Sequence, residues 1–257
     1  MSKLGFSLAL ALSVMASAAW AAEAPFVGTW KLDPSKTTLA DVMKVESAGG
    51  NKYTFDVGGG PETVTADGTD QPGYAGTTVA VTLTGPDSLK FVRKQAGRVL
   101  LTAYWKLSQD GSTLNDDFTS FAPDGSPSNV KMVFARTAGT SGLMGTWEST
   151  SAAVNFQLTI TIQPYDGSGL SLIPTSDKPK NLTFDGKDYP NLSSNAPAGS
   201  TYSARRVSAR SFEMTDKVDG KVMDTREYVL SPDHKTLTVT IHKTGVRSPN
   251  ILVFERL

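Results

Sequence analysis

The stretch "FVGTW" runs from Phe26 to Trp30, and "LMGTW", from Leu143 to Trp147, repeats it 117 residues later. The same offset lays "NKYTF" (Asn51 to Phe55) on "SGLSL" (Ser168 to Leu172), and an offset of 118 lays "ADGTD" (Ala66 to Asp70) on "FDGKD" (Phe184 to Asp188). At 123, Gly97 meets Gly220, Leu107-Ser108 meets Leu230-Ser231, Asp110 meets Asp233 and Thr113-Leu114 meets Thr236-Leu237; at 120, "VFAR" (Val133 to Arg136) meets "VFER" (Val253 to Arg256). The matches keep their order, and their offsets drift by only a few residues, as insertions in turns produce. The pattern predicts two copies of one unit of roughly 110 residues, an ordinary domain size. The expected division is a leader at 1–22, a first copy at 23–138, a linker at 139–142 and a second copy at 143–257. The small, polar run "TAGTSG" (Thr137 to Gly142) marks the boundary.

Within a copy the hydrophobic period is two, the signature of strands. Val99, Leu101, Ala103, Trp105 and Leu107 share one face of "RVLLTAYWKL", and Leu114 and Phe118 share one face of the strand after it. Turns such as "QDGS" (Gln109 to Ser112) and "VDGK" (Val218 to Lys221) punctuate the runs as hairpin connections do. Eight or nine short strands per copy, with one apolar face, close most naturally into a small barrel that leaves few free edges. The fold class predicted is therefore all-β, with two tandem antiparallel up-and-down barrels.

The first residues, "MSKLGFSLALALSVMASAAWAA", combine Lys3, an apolar run from Leu4 to Met15 and small residues at Ala19 and Ala21. This pattern predicts a cleaved export signal and a periplasmic or secreted protein. The chain has no cysteine, so neither a lipid anchor on sulfur nor a disulfide framework is available, and each copy must stand on apolar burial. Lysine plus arginine balances aspartate plus glutamate at 25 each. That balance offers no field for nucleic acid or an anionic membrane surface, and no later stretch has the length of a membrane-spanning helix.

A glycine two residues before a tryptophan in the first strand, matched with an arginine in the last, resembles the lipocalin-like (calycin) group. The residues are Gly28, Trp30 and Arg136 in the first copy, and Gly145, Trp147 and Arg256 in the second. The longer run of "GTWKLDPSKT", "LSPDHKTLTVT" and "VFER" also resembles secreted bacterial lipocalin-like domains of poorly defined function. The resemblance implies that each tryptophan plugs the closed end of its barrel beneath the arginine of its own copy. Phe134 shares strand parity with Arg136, and Phe254 with Arg256, so both arginines are expected to point inward.

Chemistry-bearing residues are few. The histidines, His234 and His242, both lie in the second copy and read as a turn residue and an outward strand residue. No cysteine nucleophile or G-x-S-x-G elbow is present. The pairs Asp67/Asp70 and Asp185/Asp188 read as turn residues, with calcium oxygens as the alternative. "GGG" (Gly58 to Gly60) lacks the sequence context of a phosphate loop. The copies differ where both are expected to face inward: Leu101, Ala103 and Trp105 align with Asp224, Arg226 and Tyr228, while Asp116 aligns with Val239. Asp224 and Arg226 either pair internally or, with Tyr228, orient an anionic ligand group. The expected ligand-binding residues are Arg226, Tyr228, Asp224, Trp105, Leu101 and Phe118. No catalytic residue, metal or cofactor is assigned. The leading expectation is a non-enzymatic protein that binds a small hydrophobic or amphiphilic molecule in one or both barrels. The alternatives are a structural or protein-interaction module with filled barrels, and an enzyme using Arg226, Tyr228 and Asp224.

Overall fold

The computed structural model describes residues 25–58, 60–139 and 141–257. The expected export signal at 1–22 therefore lies outside the described residues. The first half contains β1 (Gly28–Leu32), β2 (Val42–Gly49), β3 (Lys52–Asp56), β4 (Pro61–Thr65), β5 (Gln71–Pro72), β6 (Thr78–Gly85), β7 (Ser88–Gln95), β8 (Arg98–Leu107), β9 (Thr113–Phe121) and β10 (Pro127–Ala138). The second contains β11 (Gly145–Asn155), β12 (Thr159–Tyr165), β13 (Gly169–Pro174), β14 (Lys180–Leu182), β15 (Tyr189–Pro190), β16 (Ser200–Ser208), β17 (Ser211–Val218), β18 (Lys221–Leu230), β19 (Thr236–Lys243) and β20 (Asn250–Arg256). They form two antiparallel ten-stranded sheets of the tandem barrel type, one curled nearly to closure and the other into a half-barrel. Ten strands per sheet exceeds the expected eight or nine because short pieces such as β5 and β15, two residues each, pair separately at the sheet ends.

The strand order departs from a simple tandem. One sheet runs β4-β3-β2-β11-β10-β9-β8-β7-β6-β5, and the other runs β14-β13-β12-β1-β20-β19-β18-β17-β16-β15. Each sheet thus contains the Gly-x-Trp strand of the other copy. The expected boundaries, 23–138 and 143–257, are not those of the sheets. The first sheet is built from 42–155, and the second from 159–256 together with β1. The connection between β10 and β11 is no interdomain linker, since the strands on either side of it are paired neighbours in the first sheet. Local closure explains the choice. β11 follows β10 directly and pairs with it along most of its length, from Thr146 opposite Ala138 to Asn155 opposite Asn129. A short hairpin loop costs far less entropy than any distant pairing, and consecutive strands usually pair. With that slot filled, β1 completes the second sheet between β12 and β20, placing Trp30 opposite Arg256.

The plug pairing implied by the resemblance is corrected accordingly. Arg256 lies over Trp30 and Arg136 over Trp147, each with its guanidinium carbon 4.1 Å from the ring centroid. Trp30 and Trp147 are fully buried. Their indoles donate to Phe26 O at 2.9 Å and to Leu143 O at 3.0 Å. Each arginine also donates to three backbone carbonyls: His234, Val27 and Pro25 for Arg256, and Gly111, Met144 and Gly142 for Arg136. Here the motif glycine has a physical reason. Gly28 and Gly145 adopt φ of +149° and +148°, and a Cβ on Gly28 would stand 2.6 Å from Arg256 Nη1.

Two apolar cores result. Phe55, Phe91, Trp105, Leu114, Phe134 and Trp147 anchor the first; Trp30, Phe212, Tyr228, Leu237 and Phe254 anchor the second. Phe156, on the short connection from β11 to β12, packs against both. The longer crossing, from β1 to β2, is tied to the second sheet by a bridge between Thr38 and Ile251 and by Ala40 N donating to Asn250 Oδ1 at 2.6 Å.

Candidate functional site

A cavity of about 250 Å³ lies inside the first sheet. Its wall is largely apolar because the inward positions of β7 to β10 carry Phe91, Leu101, Ala103, Trp105, Phe118 and Val130. Three of the sequence-predicted ligand residues, Leu101, Trp105 and Phe118, are thus brought to one cavity. The crossing segment contributes Leu39 to Asp41, and Lys243 and Asn250 of the second sheet complete the wall.

Among the polar groups on this wall, the cations are matched. Arg93 pairs with Glu62 and donates to Thr77 Oγ1 at 2.8 Å, and Lys243 Nζ stands 3.2 Å from Asp41 Oδ2. Asp116 is different. It is 6% exposed, sits directly opposite Trp105 on β8 and Met132 on β10, and its Oδ1 is sealed from solvent without a hydrogen-bond partner among the described residues. Desolvation pushes its carboxyl up to about 7. Nearby Asp117 and Asp41 push the same way, and the Trp105 indole works against them. That indole N–H lies near enough to favour the carboxylate but makes no well-directed hydrogen bond, so it too is buried and unpartnered. Leaving both groups unmet costs stability.

Asp116 was absent from the expected ligand residues. Its signal was present all the same, in the alignment that sets Asp116 against Val239 and in its parity with Leu114 and Phe118.

The other three expected residues lie in the second sheet and do not join this cavity. Arg226 is bound by its neighbours: Nε stands 2.8 Å from Asp224 Oδ1 and Nη2 stands 3.0 Å from Asp216 Oδ2. Asp216 Oδ1 also accepts from Lys180 Nζ at 2.8 Å. Burial opposes the Arg226 charge, but the Asp224 hydrogen bond and the field of Asp216 outweigh it and hold the guanidinium above its ordinary range. Tyr228 is buried, its hydroxyl pushed up by desolvation, and its ring stacks on Phe212 at 4.4 Å. This is the internal pairing that the sequence left open, extended by Asp216 and Lys180.

The aspartate turns are occupied by local bonds. Asp67 Oδ1 accepts from Thr69 N and Oγ1, Asp185 accepts from Lys187 N and the Tyr189 hydroxyl, and Asp70 and Asp188 pair with Lys94 and Lys217. Among the described residues, no cluster of three histidine or acidic side chains is arranged to hold a metal. His242 is exposed on its strand, and His234 occupies a turn at φ +58°, where the first copy has Gly111 at +70°. No family model, curated protein or solved structure matches the chain.

Proposed function

We propose that this protein is an exported, non-enzymatic carrier that binds a small, largely apolar molecule inside its first barrel, while the second barrel serves as a packed support. The observation that carries this reading is the first-sheet cavity itself: apolar walls, about 250 Å³ of space, and one buried acid beside an unpartnered indole. Apolar pockets with a few convergent polar groups are the usual form of small-molecule sites. The volume falls just under the ~300–1,000 Å³ typical for drug-sized ligands, so the occupant is smaller than these. The filled-module alternative is favoured for the second barrel only, where the Phe212–Tyr228 stack and the Asp216–Arg226–Asp224 cluster occupy the interior.

The test is titration of the mature chain with the neutral fluorescent probe N-phenyl-1-naphthylamine. Wild type is expected to bind it saturably. Ala103→Phe, which fills the cavity from a wall position that is 4% exposed, is expected to abolish binding while the protein still melts cooperatively. Absence of binding in wild type, or unchanged binding in Ala103→Phe, would overturn the reading.

A further inference from the structure

The cavity of the first barrel also carries a charge preference, provided that it is the ligand pocket proposed above. Around it, Arg93 is neutralised by Glu62 and Lys243 by Asp41. Asp117, next to Asp116 on β9, pairs with Lys131 at 3.1 Å instead. The strands flanking Asp116 present Trp105 and Met132 to it, neither of them charged. Among the described residues, Asp116 is therefore the acid on this wall without a counter-ion, and its Oδ1 is buried with no donor. The rings of Phe91, Phe118 and Trp105 supply the remaining surface, and aromatic faces attract cations.

We propose that the first-barrel cavity selects a small apolar amine, bound as its ammonium ion with the charged nitrogen on the Asp116 carboxylate and the apolar body against Phe91, Phe118 and Val130. An ammonium carries only donors, so it satisfies the Asp116 Oδ1 that the protein leaves unmet, and an ionised carboxylate keeps acceptor sites to spare beside the Trp105 N–H. A carboxylate ligand would instead meet an acid, with both nearby cations already paired. A neutral alcohol could donate one O–H to the carboxylate but would bring no positive charge to neutralise it. The protonation equilibrium gives the preference a direction. Asp116 changes state near pH 7, and an amine of pKa above about 9 remains charged through that range. Its affinity therefore rises as the pH passes from 6 to 8, whereas a ligand needing a carboxylic acid donor would lose affinity.

Three probes of matched size decide the matter: benzylamine, benzyl alcohol and benzoate, titrated calorimetrically against the full mature chain at pH 6 and pH 8. Benzylamine is expected to bind at least about tenfold tighter than benzyl alcohol at pH 8, with a smaller margin at pH 6, and benzoate to bind weakest. Asp116→Asn is expected to erase the amine preference while retaining benzyl alcohol binding, which also shows that the variant folds. Benzyl alcohol bound as tightly as the amine, or benzoate bound tighter, would overturn the amine proposal and leave the pocket standing. Failure of all three probes would overturn the amine proposal, and failure of N-phenyl-1-naphthylamine as well would overturn the pocket. An amine preference that survives in Asp116→Asn would remove Asp116 from the account.

Discussion

A covalent cross-link tests the exchange of first strands directly. Lys31 and Glu255 are direct partners across β1 and β20. Across β10 and β11, the equivalent partners are Ala135 and Glu148. A chain in which each copy kept its own first strand would put Lys31 opposite Ala135 instead. The chain has no cysteine, so Lys31→Cys with Glu255→Cys introduces only the intended pair of thiols. Directly opposed residues of an antiparallel ladder stand about 4.5–5.5 Å apart at Cα, within disulfide range. The new bond closes a loop of about 225 residues, and the chain-entropy relation values the lost freedom of the unfolded state at about 5 kcal/mol. Losing the exposed Lys36–Glu255 ion pair takes little from that gain, because solvent screens it. For a chain of this size the gain corresponds to a rise in Tm of roughly 10–20 °C as an upper bound. Intact mass under non-reducing conditions and calorimetry with and without reductant read the result. Lys31→Cys with Ala135→Cys is the control, expected to stay reduced because its two strands lie in different sheets. An efficient bond in the control together with none between positions 31 and 255 would refute the exchanged topology.

Two further outcomes concern buried charge. Asp116 has a folded pKa near 7 against about 3.9 unfolded, so the folded chain holds the extra proton between those values. Its contribution is fully present below about pH 4 and is lost as the pH rises through 7. Relative to Asp116→Asn, urea unfolding of the wild type should lose roughly 2–3 kcal/mol between pH 5 and pH 8. In the second barrel, Arg226→Ala leaves Asp216 and Asp224 without their shared cation and should cost about 2–4 kcal/mol in the same assay, somewhat under a fully sealed pair because Arg226 keeps partial solvent contact. First-barrel probe binding should be unchanged in that variant.

Much of this architecture was legible in the sequence because period-two strands, Asp-Gly turns and ordered offsets each report local geometry. The parity of Phe134 with Arg136 was enough to aim the arginine inward. The partner of each tryptophan was not legible, for a specific reason. Both copies carry the same Gly-x-Trp and the same terminal arginine, so Trp30 fits under Arg136 or Arg256 equally well by letter. What decides between them is loop length: six residues separate β10 from β11, and that proximity is a property of chain connectivity, not of any motif. The site shows a similar split. Inward-facing Leu101, Trp105 and Phe118 followed from alternation, but whether a buried charge is matched depends on residues far apart in sequence. Arg226 finds Asp216, ten positions before it, and Asp216 in turn takes Lys180, thirty-six positions before itself. Asp116 finds no counter-ion among the described residues, and only the assembled wall reveals that.

The crossing of β1 into the second sheet also brings the two ends of the described chain together, with Leu257 N donating to Thr29 O at 2.9 Å. Joining those ends and opening the chain within residues 33–41 would leave every strand pairing intact while making each barrel a continuous segment of sequence. The molecule is thus a plain tandem read from a rotated starting point. As synthesised, it assigns its two barrels different schedules. The first can be completed once residue 155 has emerged, whereas β1, the first of the described strands, finds one neighbour in β12 but gains its second, and the arginine over Trp30, only when β20, the last, is available.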